Sequence, residues 1–313
     1  SWWPSLNPGW QPALGKTRHG AAAAMDRSAA PVALLELLAT AAGAGVIAAG
    51  QVGLAFVDEV WTTSHFVKDA FGRDRPQLPV EVVPCLSPLT DRPEPNRERW
   101  SIPSSTFVVM MVFSLRSGME RKNPIASIRA FQNAFAANED ALLLIKASDA
   151  NLEPEALAEL QTAIRSDARI RVVTEALPER DMWAFFAMAD VVISLHRAEG
   201  FGLVPAQAMM LGKPVVATGW SSVLDFMSAE SAMLIGYELK PVEDRAGRYP
   251  VGQVWAEPDV DEAAAALQSL YRNPERRVAL GAAGRRAIET FIAAGQTRFR
   301  DLVGGRFASN RGE

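Results

Sequence analysis

From residue 57 onward, apolar runs of strand length alternate with stretches of helical period. Phe107-Val-Val-Met-Met-Val-Phe113 is unbroken apolar sequence, the pattern of a strand covered on both faces. Leu142–Lys146, Ile170–Thr174, Val191–Leu195 and Pro214–Thr218 read as further strands, and Ala232–Gly236 as the last. Helical spacing joins them. Ile125, Ile128, Phe131 and Phe135 share one face after Pro124, and Leu157, Leu160 and Ile164 share one within Glu153–Arg165. Asn123 suits the capping position and Pro124 the first turn of the helix that follows. Glu179–Met188 and Leu203–Leu211 are the next helices, the latter stopped by Gly212, and helices over 260–272 and 275–293 finish the set. Met182, Trp183, Phe185 and Phe186 read as core. The alternation predicts stacked βαβ units around a parallel sheet, an α/β fold. Upstream, Val60–Thr63 reads as a short strand, His65–Phe71 as a helix and Val80–Val83 as a strand closed by Pro84. Arg92–Arg99 reads as a polar linker.

Residues 1–51 lack this order. Leu37–Phe56 carries no charge and is long enough to cross a bilayer, with Lys16, Arg18 and Arg27 upstream. Its Ala and Gly content drives insertion weakly, Gln51 interrupts it and Glu36 abuts it, so a membrane span is disfavoured. Gly43-Ala-Gly45-Val-Ile-Ala48 loosely matches a dinucleotide-binding turn, but no strand precedes it. A net charge of −4 argues against a general nucleic-acid binder. The single cysteine, Cys85, removes a disulfide framework and a cysteine zinc site, and reads as a small buried hydrophobe. Three histidines, His19, His65 and His196, are too few for a histidine-rich metal cluster. The balance describes a reduced, cytoplasmic protein.

Chemistry concentrates in His196-Arg-Ala-Glu199-Gly200-Phe201-Gly202-Leu203-Val-Pro205-Ala-Gln207. The segment leaves a buried strand and enters a helix, the position where open α/β sheets hold ligands. Its glycines allow close backbone approach, and the helix start offers unpaired N–H groups to phosphate oxygens. Glu199 sits just outside that helix and Gln207 near its second turn, so both can face one crevice. Lys122 precedes a helix start, where a cation is unfavourable unless an anion sits there. Asp259-Val-Asp261 reads as a helix cap rather than a metal pair. Trp220 and Trp255 lie in loops near strand ends, and His65 is within reach of the same crevice.

The segment resembles the paired-acid motif of the family 4 (group 1) glycosyltransferases, which have the GT-B fold. Co-ordered segments support the resemblance: Phe113–Arg116 and Glu120–Pro124, Leu143–Lys146, Ala189–Ser194 before the motif, Gly212–Ala217 after it, and Val57–Trp61, Ser64–Phe66 and Val80–Pro84 upstream. It extends over about residues 57–290. It implies a GT-B type α/β protein with a Rossmann-like parallel-sheet C-terminal domain and an incomplete N-terminal domain. The expected organisation is an irregular Ala/Gly-rich segment over 1–51 and a remnant of the acceptor-side domain with its linker over 52–104. The nucleotide-sugar domain is expected over 105–293 and a tail over 294–313. The shortness of the acceptor-side part, and a first residue that is Ser, raise the expectation of a fragment or a replaced segment.

The implied activity is a retaining transfer, of hexosyltransferase type, from a nucleotide-diphosphate sugar. The acceptor is an unknown glycan, lipid-linked or small molecule, with neither metal nor cofactor. Contact with the inner membrane face is expected where the acceptor is lipid-linked. By resemblance Glu199 contacts the transferred sugar and Lys122 the diphosphate, these two being the catalytic pair. Arg116, His196, Gly200, Phe201, Gly202, Leu203 and Gln207 bind the sugar nucleotide. Position 207 departs from the family pattern, being Gln rather than Glu, which predicts weaker binding. The alternative is a degenerate protein that binds nucleotide sugars without transfer. An edge-of-cleft position for Glu199 also leads to the expectation that Glu199→Ala leaves folding intact.

Overall fold

The computed structural model describes residues 57–309, apart from positions 75, 85, 138, 166, 245–246, 248 and 250–251. The uncharged run 37–56, the glycine match at 43–48 and Cys85 therefore lie outside the described residues, as do 1–51.

Two strand groups precede and build the crevice. Strands β1 (Val60–Thr62) and β2 (Val80–Val82) pair in parallel across helix α1 (His65–Asp74), with Val60, Val67, Phe71 and Val80 buried between them. The larger sheet starts at β3 (Phe107–Ser114). A short helical turn at Leu115–Ser117 follows, then α2 (Met119–Lys122), α3 (Pro124–Ala134) and β4 (Ala141–Ser148). The chain continues through α4 (Pro154–Ile164), β5 (Ile170–Val173), α5 (Glu179–Ala187), β6 (Val191–Ser194), α6 (Leu203–Met210), β7 (Val215–Thr218) and β8 (Met233–Ile235).

Six strands form one parallel sheet in the order β5-β4-β3-β6-β7-β8. The chain enters at the centre, winds out through β4 and β5, then crosses back past β3 to β6. This is the doubly wound order, and its reversal point lies between β3 and β6, where such sheets open a crevice at the strands' carboxyl ends. The uniform apolarity of β3 follows from its centrality. Val109, Met111 and Phe113 pack with α3 on one face, and Val108 and Met110 pack with α5 and α6 residues on the other.

Three expectations need correction. Asn123 does not cap α3 with its side chain: it adopts φ +50, its N–H closes α2 on the Met119 carbonyl at 2.8 Å, and its side-chain amide nitrogen has no partner among the described residues. Ala232–Gly236 is not the last strand. It contains β8, but β9 (Tyr237–Pro241) and β10 (Val254–Pro258) follow as an antiparallel hairpin. After α7 (Val260–Arg272), capped by Asp259 through the Asp261 and Glu262 amides at 3.0 and 2.9 Å, the final helix does not stop at 293. Helix α8 runs over Pro274–Ser309, 36 residues. It buries Ile288 and Ile292 against the larger sheet's cluster. It then continues to the β1–β2 unit, where Phe299 meets Trp61 edge-on and Arg298 pairs with Glu81 at 2.5 Å. Among the described residues no helix is long and apolar enough to cross a membrane.

Candidate functional site

Three chain segments converge at the reversal point. The turn after β3 carries Arg116, and α2 carries Arg121 and Lys122. The loop after β6 carries His196 to Gly202 and runs into α6. Lys122 Nζ lies 2.5 Å from Glu199 Oε1, and Arg121 Nη1 lies 3.4 Å from Glu199 Oε2. The predicted pair of Glu199 and Lys122 is thus in direct contact.

Glu199 is held from several sides. Its N–H donates to Ser221 Oγ at 3.0 Å, and Ser222 Oγ donates to its carbonyl oxygen at 2.9 Å. Ser221 adopts φ +71, a backbone state that costs a non-glycine residue about 1–3 kcal/mol, and here it serves to aim that hydroxyl. Arg121 is more tightly fixed than Lys122. Only 3% exposed, it also donates to Ser117 O at 3.2 Å and Ala198 O at 3.0 Å, while its own carbonyl accepts the Arg197 N–H at 2.8 Å. Lys122 keeps 17% of its side chain exposed, and among the described residues its ammonium bonds Glu199 alone.

Burial alone would raise the Glu199 carboxyl, but the Lys122 and Arg121 charges outweigh it and hold the group at about 2. Burial lowers the Lys122 ammonium below its ordinary value although Glu199 pulls it upward, and Arg121 adds to the lowering. Two cations thus face one carboxylate, and the surplus positive charge in this crevice favours an anion. Glu199 itself is 7% exposed. Its removal would leave the two cations buried without their counterion, so Glu199→Ala is now expected to cost stability rather than to leave folding intact.

The other predicted residues take defined places. Arg116 is exposed and makes no hydrogen bond or ion pair among the described residues. Gly200 accepts a 2.7 Å bond from Ser64 Oγ, which ties the β1–α1 unit to the loop. The Phe201 ring packs against Phe226 and Phe291.

Gly202 has φ +91, and a Cβ there would lie 2.6 Å from Val223 Cγ1. No side chain caps the helix that Leu203 begins, so its first N–H groups and positive dipole end remain open to an anion. Gly202→Ala is expected to cost about 1–3 kcal/mol of stability and to weaken binding of inorganic pyrophosphate, read by calorimetry. Gln207 is 5% exposed and its side-chain amide makes no hydrogen bond among the described residues. His196 is fully buried. Its Nδ1 lies 3.1 Å from Ser194 O and 3.2 Å from Ser194 Oγ, and its Nε2 lies 3.3 Å from Trp220 O. Burial lowers its pKa although Glu199 pulls it upward, and these contacts brace the wall of the crevice.

The sequence favours Lys122 over Arg121 of the basic pair and gives no sign of the hairpin. Arg197 donates to Glu257 on β10 at 2.5 Å and to Glu120 O at 2.7 Å, stacks over Trp255 at 5.1 Å and accepts the Ala256 N–H at 3.0 Å. The hairpin therefore braces the loop that carries Glu199. His65, at the start of α1, bonds Asp225 Oδ2 through its N–H at 2.8 Å, and its Nδ1 lies 3.2 Å away. No group of three or more metal-ligating side chains exists among the described residues.

The chain matches the family model described as glycosyl transferases group 1 over residues 94–287. In three dimensions it is similar to sucrose-phosphate synthase from Thermosynechococcus elongatus, at 19% identity and TM-score 0.63 over 83% of this chain and 61% of that one. It is also similar to HepE from Anabaena in complex with UDP and glucose, at 16% identity and TM-score 0.65 over 82% and 66%. A third likeness is to WaaG, a glycosyltransferase involved in lipopolysaccharide biosynthesis, at 16% identity and TM-score 0.58 over 79% and 63%. The match spans less than two thirds of each of these proteins. No curated protein matches the chain in sequence.

Proposed function

Because the chain belongs to the group 1 glycosyl transferases, we propose that the crevice between β3 and β6 binds a nucleotide-diphosphate sugar and passes its sugar to an acceptor hydroxyl with retention of configuration. The observation that carries this reading is the Glu199–Lys122–Arg121 cluster beside the uncapped start of α6. The diphosphate supplies the anion that the surplus cation lacks. It sits against the amides of Gly202 and Leu203, with Lys122 turning to it from Glu199 and Arg116 reaching in from the exposed side. Released from Lys122, Glu199 accepts hydrogen bonds from hydroxyls of the transferred sugar.

In the reaction the bond from the anomeric carbon to the β-phosphate oxygen breaks, and its electron pair leaves with the nucleoside diphosphate. The acceptor oxygen forms the new bond on the same face, and its proton passes to the departing phosphate. Cations and helix amides placed beforehand stabilise the charge that develops there. The relatives support the substrate class: HepE is complexed with UDP and glucose, and a pneumococcal O-GlcNAc transferase, at 14% identity and TM-score 0.54, with UDP and GlcNAc.

A second reading, a degenerate protein that binds nucleotide sugars without transfer, stands beside it. Incubation with UDP- and GDP-sugars and an acceptor panel separates the two. Release of nucleoside diphosphate with a product heavier by one sugar supports transfer; tight binding without release supports the second reading; neither sinks both. The Gln207 side chain has no hydrogen-bonding partner among the described residues, so Gln207→Glu adds a charged acceptor for ribose hydroxyls near a site with surplus positive charge. It is expected to tighten binding of UDP by about fivefold, measured by calorimetry.

A further inference from the structure

The geometry points to Lys146 as the residue that reads the nucleobase, selecting an oxo group at the edge where cytosine and adenine carry an amino group, that is the 4-oxo group of uracil or the 6-oxo group of guanine. This rests on the crevice binding a nucleotide sugar. Lys146 is 3% exposed, on β4, and its ammonium makes no hydrogen bond or ion pair among the described residues. With its stem buried and no protein acceptor at its tip, the Lys146 amine has donors free for a ligand atom. Burial lowers its pKa, while Asp149 and Glu175 pull upward from a distance. Both carboxylates are engaged elsewhere: Asp149 accepts from Ser114 Oγ at 2.5 Å and Glu175 pairs with Arg99 at 2.8 Å.

The register puts this ammonium on the crevice side. Lys146 lies opposite Val112 of β3 and Val173 of β5. It is two residues beyond Leu144, hence on the same face of the strand. Leu144 and its neighbour Met110 pack with residues of α5 and α6, the helix that carries Gln207. At this level the packing opens, since Val112 on β3 and Ser194 at the end of β6 are only half-buried.

The order of groups across the sheet then assigns the ligand atom. Glu199 follows β6, Lys122 follows β3, and Lys146 stands on β4, the next strand outward. With the sugar at Glu199 and the diphosphate between Lys122 and the α6 amides, the nucleoside extends past Gln207 toward β4. What arrives at Lys146 is the base. An ammonium carries three donors and no acceptor. It bonds the oxo groups of uracil and guanine, and meets only other donors in the amino groups of cytosine and adenine.

The test compares calorimetric binding of UDP, CDP and inorganic pyrophosphate to the wild type and to Lys146→Met. The wild type is expected to prefer UDP over CDP by about tenfold or more. The variant should lose about tenfold in UDP affinity, with CDP and pyrophosphate changed less than about twofold. Free of ligand, the variant should also melt higher, since it exchanges a largely buried amine that has no protein partner for an apolar side chain. Equal loss for all three ligands would make Lys146 a phosphate contact and overturn the proposal, as would unchanged UDP binding or a lower melting temperature of the free variant. A wild type that binds neither pyrophosphate nor UDP refutes the sugar-nucleotide reading itself. Binding of both with no preference for UDP refutes only the role of Lys146.

Discussion

Glu199→Gln ends sugar transfer, with turnover falling by about a thousandfold or more, while affinity for UDP holds or rises. The two halves have one cause. In the free protein Lys122 is committed to Glu199 at 2.5 Å, so a diphosphate must draw it away. The amide of Gln holds Lys122 far less strongly, and the crevice now carries two uncompensated cations. An arriving diphosphate therefore gains attraction, although the group that orients the transferred sugar has been lost.

The same substitution lowers stability by about 3 kcal/mol, the cost of stranding buried cations, and saturating UDP should restore much of it by mass action. Calorimetry, a melting curve with and without UDP, and product formation on the best acceptor check the three outcomes together. Weaker UDP binding with unchanged melting would remove Glu199 from the cation cluster's balance, and unchanged turnover would remove it from the reaction.

How far the sequence discloses this arrangement depends on what each signal measures. The sheet strands were legible because a doubly covered parallel strand is uniformly apolar, and Phe107–Phe113 is an extreme case. The Glu199 turn was legible because its glycines meet a strict steric need, as the Val223 methyl against Gly202 attests. Arg121 was not, since a sequence shows a basic pair beside a helix start and not which member is buried. Its burial follows from the path of the loop after β6, a long-range packing fact.

The hairpin was missed for another reason. Tyr237–Pro241 is exposed along its whole length and has no apolar face to announce a strand. Its pairing partner follows only after residues 242–253. The overrun of α8 has a local cause. Gly295 suggests a helix end, but a Cβ there would press on Pro84 at 3.1–3.3 Å, so the glycine lets the helix pass close to that segment rather than terminating it.

Arg121→Met tests the other half of the cluster, and the sign of its effect depends on magnitudes. Removing the guanidinium relieves its repulsion of Lys122, a gain of about 1 kcal/mol at the effective dielectric of a protein interior. Against that stand the loss of its bonds to Ser117 O and Ala198 O and of its 3.4 Å pairing with Glu199. Each is worth about 1–1.5 kcal/mol, and Ala198 O is left in a buried position without its donor. The losses win, and a net destabilisation of about 2 kcal/mol should lower the melting temperature by about 4–8 °C.

The pH dependence gives the effect a signature that mere loss of packing lacks. Glu199 is held at about 2 in the folded protein, below its value in an unfolded chain. Its contribution to stability is therefore complete above the unfolded carboxylate range and is lost as pH falls toward 2. Without Arg121 the folded value rises, so the stability of Arg121→Met should begin to fall at a higher pH than that of the wild type. Arg121→Lys restores the charge without the guanidinium fork and should recover the acid limb but only part of the melting temperature. Acid-unfolding curves that superimpose for Arg121→Met and the wild type would show that Lys122 alone sets the charge state of Glu199.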